Sequence, residues 1–304
     1  MPNLTNIVKN AARLGIAIPA FNVPYLPMIE PVIRAVHDCD SFAMIESARL
    51  EWIKFEAKSA AAVAEEFERW NDPNHISLHL DHIPVIDEDN NHVEVLPVFE
   101  EAIRLGYHSL MIDGSRLSLA DNIAATRAAA ELAHAAGLPC EAELGAIMGH
   151  ESGPMPPYEE LFASGKGFTQ VAEAQQFVQE SGCDWLSVAI GNVHGAIAAG
   201  TKDKQKIAAR LDLAQLERLR DALGIPLVLH GGSGIPQELV LEAFKRGIAK
   251  INIATEIRQA YEVALKESGR VSEAQEATYD RTCWLITDYF GLAGIRALVN
   301  PEGV

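Results

Sequence analysis

The 304-residue chain sets 25 Lys and Arg against 42 Asp and Glu, a formal charge of −17, with 48% hydrophobic residues. That acidity argues against nucleic acid as a partner, and it makes any local group of arginines informative, because an anionic ligand would need one. Apolar runs are too short to span a bilayer, residues 1–10 lack the pattern of a signal peptide, and the four cysteines form no CxxC pair, so a cytoplasmic protein with reduced thiols and no membrane partner is expected.

Along the chain, short apolar runs alternate with amphipathic stretches. Strands are predicted at residues 16–23, 42–47, 76–82, 109–114, 139–145, 185–191, 226–231 and 248–255. Their apolar character on both faces suits strands buried under helices. Helical spacing follows at 93–105, where Pro97 would kink the helix unless it sits in the first turn, and at 119–136 and 171–180. Pro236 fits the first turn of a helix over Gln237–Lys245, which Gly247 closes. Eight such βα repeats in about 250 residues call for a (β/α)8 TIM barrel, here one domain over 1–304. An open doubly wound sheet is the alternative, but no GxGxxG turn follows the first strand. After Ala260 the rhythm stops. Residues 271–280 are polar and 281–299 apolar, an extra C-terminal helical segment from about 265 that would cover a flank or build a subunit interface.

In such a barrel the active site lies at the carboxyl ends of the strands. There the sequence places Asn22, Ser47, Asp81, His82, Asp113, Glu141, Glu143, His194, His230, Asn252 and Thr255. Histidines at the ends of strands three, six and seven can converge, and three imidazoles around an open position suit catalytic zinc. Glu143 would be a fourth or exchangeable ligand. His37 and His134 fall in helical patterns, His75 precedes strand three and His79 lies deeper in it; these four read as structural or surface residues. Strand seven runs into His230-Gly231-Gly232-Ser233-Gly234 and strand eight ends Asn252-Ile253-Ala254-Thr255, each before a helix. Such turns serve as tight caps, or cradle a phosphate with backbone N–H groups and a helix N-terminus.

Taken in order, His79-Leu80-Asp81-His82, Met111-Ile112-Asp113-Gly114-Ser115, Glu141-Ala142-Glu143-Leu144-Gly145, Val188-Ala189-Ile190-Gly191 with His194-Gly195, and the two turns above resemble the class II fructose- and tagatose-bisphosphate aldolases over roughly residues 14–262. The resemblance implies a zinc-dependent lyase that reversibly cleaves a fructose- or tagatose-1,6-bisphosphate-like ketose to dihydroxyacetone phosphate and an aldehyde. His82, His194 and His230 would hold Zn2+, with Glu143 exchanging on and off. Asp81 would protonate the alkoxide of the aldehyde half, and Glu151 would move the proton on the ketone half. Gly195, Gly231, Gly232, Ser233, Asn252 and Thr255 would cradle the phosphate and enediolate, with Asn22 and Ser47 beside them. Asn252 counts as catalytic too, and a monovalent cation (Na+ or K+) would sit among the glycines. The resemblance further implies a role in carbohydrate metabolism, glycolysis included, and a homodimer or homotetramer. Alternatives are a relative for a different anionic aldehyde, a metal-dependent hydrolase or epimerase on the same barrel, and a non-catalytic relative, which would be expected to have lost Asp81 or a zinc ligand.

Three departures lie at the mouth. Residues 83–92 form a longer, acidic loop, Arg116 stands where the family has histidine, and 153–166 is proline-rich. The segment 149–166, with no helical pattern, is expected to be a lid carrying Glu151. Arg49 and Arg116 flank strand three and are expected to hold a distal phosphate or carboxylate, the alternative being pairing with Glu46, Glu51 or Asp121.

Overall fold

The computed structural model describes residues 3–145, 158–193, 209–232, 234–301 and 303, with the side chain of Leu161 excepted. Eight parallel strands close into a barrel: β1 (Ile18–Asn22), β2 (Ala43–Ala48), β3 (Ile76–Pro84), β4 (Ser109–Asp113), β5 (Cys140–Leu144), β6 (Trp185–Val188), β7 (Leu227–Leu229) and β8 (Ile248–Ile253). Closure is made by β1 on β8, with Ala20 opposite Asn252. This rules out the open sheet. Nearly every strand residue is buried, because inward side chains fill the barrel and outward ones meet the helices.

The helices form where the local chemistry asks for them. Ser118 caps Leu119–Ala135 by accepting from the Asp121 N–H, and Val171–Ser181 ends on Gly182 in the left-handed conformation. Pro97 lies in the first turn of Val95–Arg104, where its missing N–H costs nothing. Gln237–Lys245 matches its expectation, with Pro236 as its N-cap and Gly247 beyond its end. At the strand ends the structure differs by a few residues. β3 runs on to Pro84, and β8 stops at Ile253 so that Thr255 opens the helix Thr255–Ser268 instead of ending the strand.

The C-terminal segment covers a flank. Helix Val271–Trp284 lies on helix Ile29–Asp38, held by Arg34 to Glu276 at 2.7 Å and by the Tyr279 hydroxyl donating to Asp38 at 3.0 Å. Further along, Arg296 pairs with Asp40 at 2.7 Å, and Asn10 donates to the Val299 carbonyl at 3.0 Å. The four cysteines are free thiols, two of them buried. Among the described residues no helix is long and apolar enough to cross a membrane.

Candidate active site

The site begins with an irregularity in β3. Side chains alternate along a strand, so Asp81 and His82 should face opposite sides. His82, however, adopts a left-handed backbone (φ 31°), and the pairing of β3 with β4 slips between Leu80 and Ile83. This bulge turns the imidazole inward, and Asp81 and His82 both line the cavity at the barrel mouth. A non-glycine residue held there costs on the order of 1–3 kcal/mol, which the surrounding packing must offset.

Beside His82 stands His230, just past β7, with ring centroids 4.6 Å apart. Glu143 of β5 places Oε2 3.3 Å from His230 Nδ1 and 3.9 Å from His82 Nδ1. Glu143 thus faces both imidazoles, and the ligand atoms of Asp81, His82 and His230 lie within 4.8 Å of one another, as do those of His82, Asp113 and Glu143, side chains whose chemistry fits zinc. The outer contacts fit as well. His230 Nε2 lies 2.9 Å from Glu141 Oε1, and His82 Nδ1 lies 3.3 Å from Asp113 Oδ2; such carboxylates orient metal-binding imidazoles. Burial raises the Glu143 carboxyl, with neighbouring Asp113 adding to it; burial works the same way on Asp113, but its contacts to His82 and Ser115 together hold it below its usual range. The third expected ligand, His194, lies outside the described residues.

Asp81 is gripped on both oxygens. Asn22 Nδ2 donates to Oδ2 at 2.9 Å, and Asn252 Nδ2 donates to Oδ1 at 3.0 Å. Lys250 decides which way the Asn252 amide points, since its ammonium donates to Asn252 Oδ1 at 2.6 Å and leaves the NH2 for Asp81. Lys250 itself is fully buried between Glu46 (3.2 Å) and Glu141 (3.1 Å). Despite burial, those two carboxylates hold its pKa above the ordinary lysine range. Below it, His79 Nδ1 meets the Ser109 hydroxyl at 2.8 Å. Sequence reasoning passes over Lys250, gives Glu46 only as an alternative arginine partner, and reads His79 as structural or surface. The available signal was a lysine and two glutamates inside strands buried on both faces, where a charge must have partners. Glu51 was weighed only as an arginine's partner. It accepts from the Ala48 N–H at 2.9 Å, and burial pushes its pKa up to about 8.

Across the mouth, Gly231, Gly232, Gly234, Asn252 and Thr255 line the same cavity. Gly231 (φ 65°) and Gly234 (φ 90°) take left-handed conformations that suit glycine, and two helices start just behind them. Gly195, Ser233 and Glu151 lie outside the described residues, as does the first half of the expected lid, 149–157. Its described end corrects the expectation of a segment without helix: Tyr158–Ser164 is helical, and the Tyr158 hydroxyl donates to the Gly191 carbonyl at 2.8 Å.

Two expectations change. Ser47 does not reach the cavity; it is fully buried and its hydroxyl accepts from Trp52 Nε1 at 2.8 Å. Arg49 and Arg116 line no part of the cavity either. Both turn to the 83–92 loop. Arg49 Nη1 pairs with Asp87 Oδ2 at 3.4 Å, and Arg116 donates to the Asp87 carbonyl and, at 2.6 Å, to Asn90 Oδ1. The acid that takes Arg49 is thus in a loop, not one of the nearby residues Glu46, Glu51 or Asp121.

Residues 2–290 match the family model described as class-II fructose-bisphosphate aldolase. A fructose-bisphosphate aldolase of Streptococcus pneumoniae (serotype 4) is 32% identical over 294 residues, 96% of this chain and 91% of that protein. One from Streptococcus pyogenes (serotype M3) is 32% identical over 276 residues, 90% and 85% of the two chains. Among solved structures, the YdjI aldolase of Escherichia coli K12 superposes with a TM-score of 0.76 at 29% identity, covering 96% of this chain and 98% of that one. A candidate fructose-1,6-bisphosphate aldolase from Coccidioides immitis gives 0.74 at 27% identity, covering 95% and 96%.

Proposed function

Since the chain belongs to the class-II fructose-bisphosphate aldolase family, whose members are carbon–carbon lyases, we propose that it reversibly cleaves a phosphorylated ketose, fructose- or tagatose-1,6-bisphosphate-like, to dihydroxyacetone phosphate and an aldehyde. The observation that carries this reading is Glu143 facing both His82 and His230, next to an Asp81 held by two amides. Zinc is the family's metal. His82, His230 and His194 would hold it, with Glu143 as the exchangeable fourth ligand, and when bound it supplies Lewis-acid stabilisation of the enolate charge that cleavage leaves.

The protein's own groups do the rest. Asp81 takes the hydroxyl proton as the bond breaks and returns it to the alkoxide in the synthetic direction. Asn22 and Asn252 fix both its oxygens, so it meets that hydroxyl in one orientation. Gly195, Gly231, Gly232, Ser233, Asn252 and Thr255 receive the phosphate and the enediolate, with Na+ or K+ as a counter-ion among the glycines. Glu151 moves the ketone-half proton. The assembly is a homodimer or homotetramer working on sugar phosphates in the cytoplasm.

The test measures bound zinc together with release of dihydroxyacetone phosphate. A chelated enzyme should lose cleavage and recover it with added zinc. Full-rate cleavage by metal-free protein, or zinc-loaded protein that releases nothing from any phosphorylated ketose, would overturn the proposal.

A further inference from the structure

The loop that follows β3 is held by three cations and contributes one acid, Glu88, to the cavity lining. Asp87 organises the turn: its carboxylate accepts from the N–H groups of Asp89 (3.0 Å) and Asn91 (2.8 Å), and its own N–H donates to the Asn91 carbonyl. Val85 donates to the Asp113 carbonyl and Val93 to the Val85 carbonyl, both at 2.9 Å, which tie the loop's two stems to the barrel and to each other. Arg49 then takes Asp87, Lys54 takes Asp89 at 3.4 Å, and Arg116 takes Asn90 and the Asp87 carbonyl. Among the described residues, every polar side chain from 87 to 90 is engaged except Glu88. Glu88 is half-buried and lines the same cavity as Asp81, His82 and Asp113. Arg258, the arginine that does line the cavity, already binds both oxygens of Glu262 at 2.9–3.0 Å.

A carboxylate offered to a sugar is a hydrogen-bond acceptor only, and its two oxygens match two neighbouring hydroxyls. Resting on the aldolase reading above, the geometry points to Glu88 as the specificity-determining residue for the aldehyde half: it accepts hydrogen bonds from that half's hydroxyl groups, and the Arg49–Asp87–Arg116 clasp holds it in place. A site built to bind a substrate hydroxyl discriminates strongly against the analogue that lacks it, because a buried partner is then left unpaired.

The experiment condenses dihydroxyacetone phosphate with glyceraldehyde, lactaldehyde and propionaldehyde, three-carbon aldehydes of falling hydroxyl content, using the zinc-loaded full chain. Solvent exchange of the dihydroxyacetone phosphate C–H proton normalises each enzyme for an intact ketone half. The native enzyme should prefer glyceraldehyde over propionaldehyde by about 100-fold in kcat/KM, and Glu88→Ala should cut that ratio about tenfold or more. Glu88→Gln, which keeps one acceptor, should fall between. If the native enzyme does not distinguish the three aldehydes, or the ratio survives both substitutions, Glu88 does not read hydroxyls. Absence of C–H exchange in the native enzyme would instead sink the aldolase reading itself.

Discussion

The strand and loop parts of the barrel mouth are built by different rules. The strand part, spread around the closed barrel on β1, β3, β5 and β8 and the end of β7, supplies Asn22, Asp81, His82, Glu143, His230 and Asn252, set by the pairing register and by the charges around them. The loop part draws on residues 83–92 after β3, and long side chains from two other elements hold that loop in shape. A residue on a strand inherits its direction from the barrel, whereas a residue on a loop inherits it from whatever grips the loop. This is why barrels keep one chemistry while varying the partner it acts on. The comparison predicts that damage to the strand part abolishes the reaction, and damage to the loop part changes what is reacted.

The sharpest test of the strand part is Asp81. Asp81→Ala removes the group that both asparagines hold, without removing an imidazole or Glu143. Cleavage should fall by about 10²–10⁴-fold while the zinc content stays at the native level. Loss of zinc with the substitution would make Asp81 part of the metal site instead of the proton carrier beside it.

Next in size is Lys250. It is fully buried with Glu46 and Glu141, so Lys250→Met leaves two carboxylates without their cation. Stability should drop by about 3–5 kcal/mol, read as a lower urea midpoint. The Asn252 amide also loses the donor that sets its orientation. The companion variant Lys250→Met with Glu46→Gln removes one of the stranded charges and should restore part of the midpoint. If stability recovers in the pair and turnover does not, Lys250 orients the site as well as supporting the barrel. Recovery of both would leave it a structural residue.

Most of the strand part was legible in the sequence because its signals are local. Short apolar runs gave the strands to within a few residues, and chemically useful groups at their ends marked the mouth. What stayed hidden depends on contacts distant in sequence. Nothing in His79-Leu80-Asp81-His82 announces a bulge, since the left-handed position is filled by histidine, not glycine. Lys250 lies inside an expected strand, but its partners Glu46 and Glu141 are far away in sequence and meet it only when the barrel closes and leaves it no solvent. Arg49 and Arg116 lie just past strands two and four in the sequence, but their direction is set by Asp87, 38 and 29 residues away, in a loop without periodicity to interpret.

The smallest expected effect concerns that clasp and separates two roles for the arginines. In one, they bind an anionic end of the substrate; in the other, they act as struts for the loop. The Arg49–Asp87 pair is long at 3.4 Å, but Asp87 is nearly buried and is also held by the backbone of its own turn, so the pair resists solvent screening better than an exposed one. Lys54 and Asp89, both exposed at 3.4 Å, add little. Arg49→Met with Arg116→Met should therefore loosen the loop without unfolding the barrel, since loops open locally at little global cost. Struts predict that KM rises about three- to tenfold for charged and uncharged aldehydes alike, because Glu88 is displaced for both. Anion binders predict a rise confined to aldehydes bearing phosphate or carboxylate, since only these lose a charged partner. Measuring KM for glyceraldehyde and for glyceraldehyde 3-phosphate in the double variant decides between them. The contacts to Asp87 and Asn90 favour the equal rise; a selective one would mean that the arginines leave the loop when substrate arrives.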